Sequence, residues 1–153
     1  MQVYRIVKST FMADLSGNGA RLYGGRWNSP GVPVLYTASS RSLAALELLV
    51  HTSHQYVPDD LYLITIQIPE NTIIETIGAD VLNAGVKKKG IAADFQQMGD
   101  DWVKSRRSLV LKVPSVIIPE EHNYLINPLH TDAIKVSIIA NRTFEFDKRL
   151  MLR

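Results

Sequence analysis

Apolar and polar positions along the chain change rhythm several times, and each change marks an element. The run Gln2–Lys8 predicts an opening strand, and Val32–Thr37, entered from a Gly/Pro-rich turn, predicts a second. Between them the small, polar stretch Leu15–Leu22 reads as loop. Ser39-Ser40-Arg41-Ser42 then offers helix caps ahead of Leu43–His51, whose alanines and leucines are strong helix formers and leave it apolar nearly all round. Leu61–Ile68 alternates as a strand stopped by Pro69, and Thr72–Ile77 predicts another short one. Ala92–Lys104 is an amphipathic helix carrying Trp102. Beyond it the pattern turns β-rich, with strands expected at Leu109–Val113, Val116–Ile118, Ile134–Ile139 and Thr143–Asp147, punctuated by Pro114, Pro119 and Pro128. Strands and helices that do not alternate regularly predict an α+β fold, a mixed or antiparallel sheet with flanking helices, over a doubly wound parallel one. No repeat or linker interrupts the pattern, so residues 1–153 read as one domain.

Composition narrows the class. The chain has 153 residues, 46% of them hydrophobic and 21% charged, and no cysteine. This fits an ordinary globular domain and excludes a disulfide framework or thiolate metal site. The N-terminus places charges where a secretory signal needs an apolar core, and no apolar run approaches about 18 residues, so the expectation is a cytoplasmic protein without a membrane segment. A formal net charge of +2 does not argue for direct nucleic-acid binding, and the short clusters Lys87-Lys88-Lys89 and Arg106-Arg107 read as solvated surface.

Candidate chemistry sits against this background. Glu47 is the one non-apolar residue between Leu43 and Val50, so it lies either on a narrow solvent stripe or in a cleft where burial and a cationic neighbour tune it. Glu47, His51 and His54 share a helix face if the helix extends that far, but the spacing lacks the His-Glu-x-x-His pattern of zinc hydrolases, and no metal is expected. Arg26, within Gly24-Gly25-Arg26-Trp27-Asn28, is either a structural arginine bonded to its loop or an anion fork among glycines. Gly17-Asn18-Gly19 followed by Gly24 misses the dinucleotide fingerprint, and no P-loop motif occurs. Tyr36 closes the second strand. Ser115 lies in an apolar β segment with no nucleophile elbow around it. Asn123 and Asn127 are read in a loop, where an Asx turn is the default.

Taken together, "RLYGGRWNSPGVPVLYTASSRSLAALE" and "VPSVIIPEEHNYLINPLH" resemble the RES-domain proteins, named for an arginine, a glutamate and a serine. The likeness runs from about Tyr4 to Ile139. It departs only at Thr131 of His130-Thr131-Asp132, where a proline is common. The resemblance implies a bacterial toxin of a toxin–antitoxin pair with a fold similar to ADP-ribosyltransferases. The implied activity is NAD⁺ degradation by hydrolysis or phosphorolysis of the nicotinamide–ribose bond, with NAD⁺ as substrate and no cofactor. Transfer of ADP-ribose to a protein, or non-catalytic binding of a nucleotide or partner, are the alternatives. It implies catalytic roles for Arg26, Tyr36, Glu47 and Ser115, and NAD⁺ binding by Arg5, Arg26, Tyr36 and Asn127. In that reading Arg26 grips the pyrophosphate, the Tyr36 ring stacks on nicotinamide, and Ser115 and Asn127 bond the ribose or carboxamide. The implied partner is a helix-turn-helix, Xre-type antitoxin in a hetero-oligomer.

Overall fold

A computed structural model, which describes residues 1–52, 58–81 and 92–150, builds the chain around a seven-stranded sheet. The strands are β1 (Gln2–Lys8), β2 (Leu35–Ala38), β3 (Leu61–Gln67), β4 (Ile74–Thr76), β5 (Val110–Pro114), β6 (His122–Ile126) and β7 (Ser137–Thr143), and the described helices are α1 (Asn18–Tyr23), α2 (Arg41–His51) and α3 (Ala92–Ser105). The order across the sheet is β4-β5-β6-β2-β1-β3-β7. Every pairing is antiparallel except β4 with β5. The α+β expectation is met. No helix among the described residues is long and apolar enough to cross a membrane.

Two features of the sheet create the site. β1 and β3 pair over seven residues, whereas β1 and β2 share only the pair Tyr4 and Ala38. The sheet is thus two well-hydrogen-bonded plates joined at one point. Side chains alternate between faces along a strand, so Tyr36 and Ala38 project to the same face. There Tyr36 packs with the cluster of Trp27, Phe95, Trp102, Leu111 and Leu125, while Ala38 packs with Ile6, Leu43, Ala44 and Leu63. α3 contributes Phe95, Trp102 and Val103 to the first of these clusters, and α2 contributes Leu43 and Ala44 to the second. A third cluster, built on Val3, Ile64, Ile66 and Val110, includes Leu35, which points to the face opposite Tyr36 and Ala38.

Several boundaries differ from expectation for local reasons. The second strand starts at Leu35, three residues late, because Val32 spends its N–H on Ser29 and its carbonyl on the Asn28 amide. Part of the expected loop Leu15–Leu22 is the short helix α1, closed by Gly24 at φ 73° and ψ 176°, a positive-φ conformation that glycine adopts without strain. Val116–Ile118 is a turn, since the Ile117 and Ile118 N–H groups both bond the Ser115 hydroxyl and have no ladder partner. Asn123, expected in a loop, lies on the interior strand β6, paired on both sides by β2 and β5. The strand expected at Ile134–Ile139 is preceded by a 3₁₀ turn over Thr131–Lys135, and the last strand ends at Thr143. Lys87-Lys88-Lys89 lies outside the described residues.

Candidate active site

A cavity of about 1000 Å³ opens beside the Tyr4–Ala38 junction, at the upper end of the range typical of small-molecule sites. Arg5 from β1, Tyr36 from β2, Glu47 and His51 from α2, Asn123 from β6 and Arg26 from the turn after α1 all line it.

Glu47 is placed by its helix. Ser40 caps α2, accepting the Leu43 N–H at 3.1 Å, which fixes where the helix starts. Leu43 and Ala44 then bury against the sheet, and Glu47, one turn on, is half-buried in the cavity wall. One carboxylate oxygen, Oε1, accepts from the Asn123 amide at 2.6 Å and from the Ser115 hydroxyl at 2.9 Å. The other, Oε2, has no hydrogen-bond donor among the described residues. Two donors on one oxygen hold the carboxylate in a single orientation and leave its second oxygen for a ligand. The cleft reading of Glu47 is therefore the one its position fits. His54 lies outside the described residues, and among those described no group of three or more acidic or histidine side chains is arranged to hold a metal ion.

Arg26 stands on a turn tied down from two sides, by β2 and by α3. The Tyr36 hydroxyl accepts the Trp27 N–H at 3.0 Å and donates to Asn28 Oδ1 at 2.8 Å. From α3, the Gln96 amide donates to the Gly25 carbonyl at 3.0 Å, and Asp100 accepts the Ser29 N–H at 2.9 Å. Gly25 is required because a Cβ there would fall 2.6 Å from the Tyr36 oxygen. With its backbone so committed, the Arg26 side chain is exposed and, among the described residues, its guanidinium bonds no protein group. The reading of Arg26 as a loop-bonding structural arginine does not hold. Its five donors are left facing a cavity.

Arg5 adds a second cation. Its Nη1 donates to the Asp14 carbonyl at 3.0 Å. Burial works against its charge while the nearby Asp14 carboxylate supports it, and a guanidinium remains protonated in either case. Burial likewise pushes the Tyr36 phenol well above its ordinary range, with the Asp100 charge adding and the Trp27 N–H and Arg26 opposing. Tyr36 thus keeps its proton, as donation to Asn28 requires.

Two assignments are corrected. Ser115 is 1% exposed and does not line the cavity; its hydroxyl is consumed by Glu47 and the two turn N–H groups. It positions Glu47 and cannot reach a ribose. Asn127 is fully buried, donating to the Val103 carbonyl and accepting the Leu129 N–H, and lies away from the cavity. It is a structural Asx turn. Asn123, four residues earlier on the strand, is the amide in the cavity.

The sequence model of the RES domain matches residues 2–147. The chain is 41% identical to the "Prs ADP-ribosylating toxin" of Sphingobium sp. (strain YBL2), with 90% of this chain and 87% of that protein aligned. It is 37% identical to "Toxin Res" of Photorhabdus laumondii subsp. laumondii over 99% of this chain and 97% of that one. Among solved structures, a chain of the M. tuberculosis MbcT-MbcA toxin-antitoxin complex superposes with a TM-score of 0.71 at 18% identity, covering 98% of this chain and 86% of its own.

Proposed function

The chain belongs to the RES domain family, and from that premise we propose that it is the toxin of a toxin–antitoxin pair that consumes NAD⁺ at the cavity holding Glu47. The observation that carries the reading is the Glu47 carboxylate, pinned through one oxygen by Asn123 and Ser115, in a cavity that also holds Arg26 and Arg5.

Breaking the nicotinamide–ribose bond leaves both bonding electrons on the ring nitrogen, so nicotinamide departs neutral and needs no general acid. The sugar becomes oxocarbenium-like, and a carboxylate fixed beside it stabilises that charge, as in glycoside hydrolysis. Because Oε1 is already occupied, Oε2 is the atom available to the sugar cation, a ribose hydroxyl or the attacking acceptor. When water attacks, its oxygen bonds the anomeric carbon and one proton is released; when phosphate attacks, the product is a sugar phosphate. Arg26, with its fork unspent, suits the pyrophosphate, and Arg5 lends a second positive charge to the same cavity. Tyr36 contributes in two ways, holding the Arg26 turn with its hydroxyl and offering its ring to the cavity.

A second reading shares the site. The Sphingobium relative's name gives ADP-ribosylation, and attack by a protein side chain in place of water would deliver ADP-ribose to a protein by the same first step. In either case the reading includes an antitoxin partner that restrains the enzyme, in keeping with the complex in which the structural relative was solved.

The test is nicotinamide release from NAD⁺ by the isolated, partner-free protein, with and without inorganic phosphate, and with labelled NAD⁺ in a lysate. Wild-type release and a loss of about 100-fold or more in Glu47→Gln are expected. Phosphate dependence identifies phosphorolysis, and labelled protein identifies transfer. No release and no labelling by a demonstrably folded protein overturns the proposal.

A further inference from the structure

A second, smaller pocket lies on the sheet face that carries α2, at the β3–β7 edge, and no residue lines both it and the large cavity. The cross-strand pairs Leu63 with Arg142 and Thr65 with Ala140 set four side chains on one face, and Leu63 belongs to the cluster beneath α2. Arg41, in the first turn of α2, closes the pocket from above. Its volume of about 160 Å³ is well below the ~300 Å³ at which drug-sized pockets begin, so it suits one small group.

Three features specify that group. Arg41 is held by stacking, with its guanidinium carbon 4.3 Å from the Tyr4 ring centroid. Such a contact fixes the fork without using its N–H donors. Arg142 spends only Nη1, on the Thr143 carbonyl at 3.1 Å. No carboxylate lines the pocket, and neither arginine has an ion-pair partner among the described residues. Two exposed like charges bordering one small pocket give it a positive potential that favours an anion. Thr65, finally, is only 7% exposed, lines the pocket, and has no hydrogen-bond partner for its hydroxyl among the described residues. The β3–β7 register breaks between Thr65 and Ile66. Such irregularities recur at sheet edges beside binding sites, where they re-aim side chains.

We propose that Arg41, Arg142 and Thr65 form a binding site for a phosphate-type oxyanion, separate from the Glu47 cavity. The two forks supply charge-assisted N–H donors and the Thr65 hydroxyl supplies an O–H donor to a third oxygen, a set that matches a tetrahedral dianion and has no use for a cation. The anion is either free inorganic phosphate or the terminal phosphate of a nucleotide.

The experiment is a titration of the full chain with inorganic phosphate and separately with ADP, followed by backbone amide chemical shifts. Saturable shifts at Thr65, Ala140 and the first turn of α2 are expected with at least one probe. The dissociation constant at these amides should rise about tenfold in Arg142→Gln, the loss of one charge-assisted pair, and several-fold in Thr65→Val. Thr65→Ser, which restores the hydroxyl, should recover binding, and Arg26→Gln should leave these shifts unchanged. Tighter binding of ADP than of phosphate assigns a nucleotide phosphate, and the reverse assigns the free ion. Absence of saturable shifts at these amides with both probes, or shifts indifferent to Arg142→Gln in a folded variant, overturns the proposal.

Discussion

The sharpest consequence of the geometry concerns one oxygen atom. Tyr36→Phe keeps the ring and removes the hydroxyl that accepts the Trp27 N–H and donates to Asn28 Oδ1. Trp27 is 3% and Asn28 0% exposed, so water cannot freely replace either bond. With each net bond worth about 1 kcal/mol and extra cost for a buried group left unpaired, the variant should lose about 2–3 kcal/mol. For a chain of this size that corresponds to a melting temperature lower by about 5–10 °C. Urea unfolding should show a lower midpoint at unchanged slope. The pH dependence carries a sign. Burial raises the folded-state pKa of the phenol above its unfolded value, so this stabilisation is fully present below pH about 10 and is lost as pH rises beyond it. The gap between wild type and variant should therefore narrow in alkali. Because the same turn carries Arg26, KM for NAD⁺ should rise more than kcat falls. A stability loss under about 0.5 kcal/mol, or a gap that widens in alkali, would refute the reasoning.

Other consequences can be checked alongside it. Asn127→Ala should cost about 2–3 kcal/mol, because it unpairs the Val103 carbonyl and the Leu129 N–H, while nicotinamide release per folded molecule stays at the wild-type level. Asn123→Ala frees Glu47 Oε1 from its 2.6 Å donor and should lower kcat about tenfold with little change in unfolding; Asn123→Asp sets a second carboxylate against Glu47, and a larger kcat loss at neutral pH is expected. The Arg107 hydrogen bond holds the Glu75 carboxyl below its usual range against a smaller opposing effect of burial. That contribution is present above the unfolded pKa of about 4.3 and lost as pH falls through the folded value. Glu75→Gln should flatten the acid limb of a stability–pH curve, by well under 1 kcal/mol given the exposure of the pair.

The sequence carried the framework of the site further than its details. Glu47 is visible as a lone carboxylate in an apolar helix, and Arg26 as a cation among turn residues; neither signal depends on tertiary structure. The Asn123–Asn127 pair was harder, since both amides lie in one short run and only strand pairing separates them. Pro128 was the available clue, because an Asn before a proline tends to turn back on its own backbone. Ser115 shows a different difficulty. Its role comes from Glu47, 68 residues away, and no local pattern encodes that distance. The helix α1 leaves little trace in the sequence, because it buries no residue and so has no apolar stripe; only the spacing of Gly17 and Gly24 marks its ends.

The single pair that joins β1 to β2 gives the enzyme an uneven stiffness. Within each half of the sheet, bending breaks several backbone bonds at once. Between the halves the backbone ladder has a single rung, and the join is made by side chains, the cluster of Val3, Leu35, Ile64 and Val110 on one face and the packing beneath α2 on the other. The two walls of the cleft are therefore held against each other by packing more than by backbone hydrogen bonds. Glu47 is tied by hydrogen bonds to Asn123 of β6 and to Ser115 just after β5, and Tyr36 stands on β2 beside them, whereas Arg5 stands on β1 across the seam. The distance between the carboxylate and that cation is therefore fixed across the seam, by side-chain packing and not by a backbone ladder.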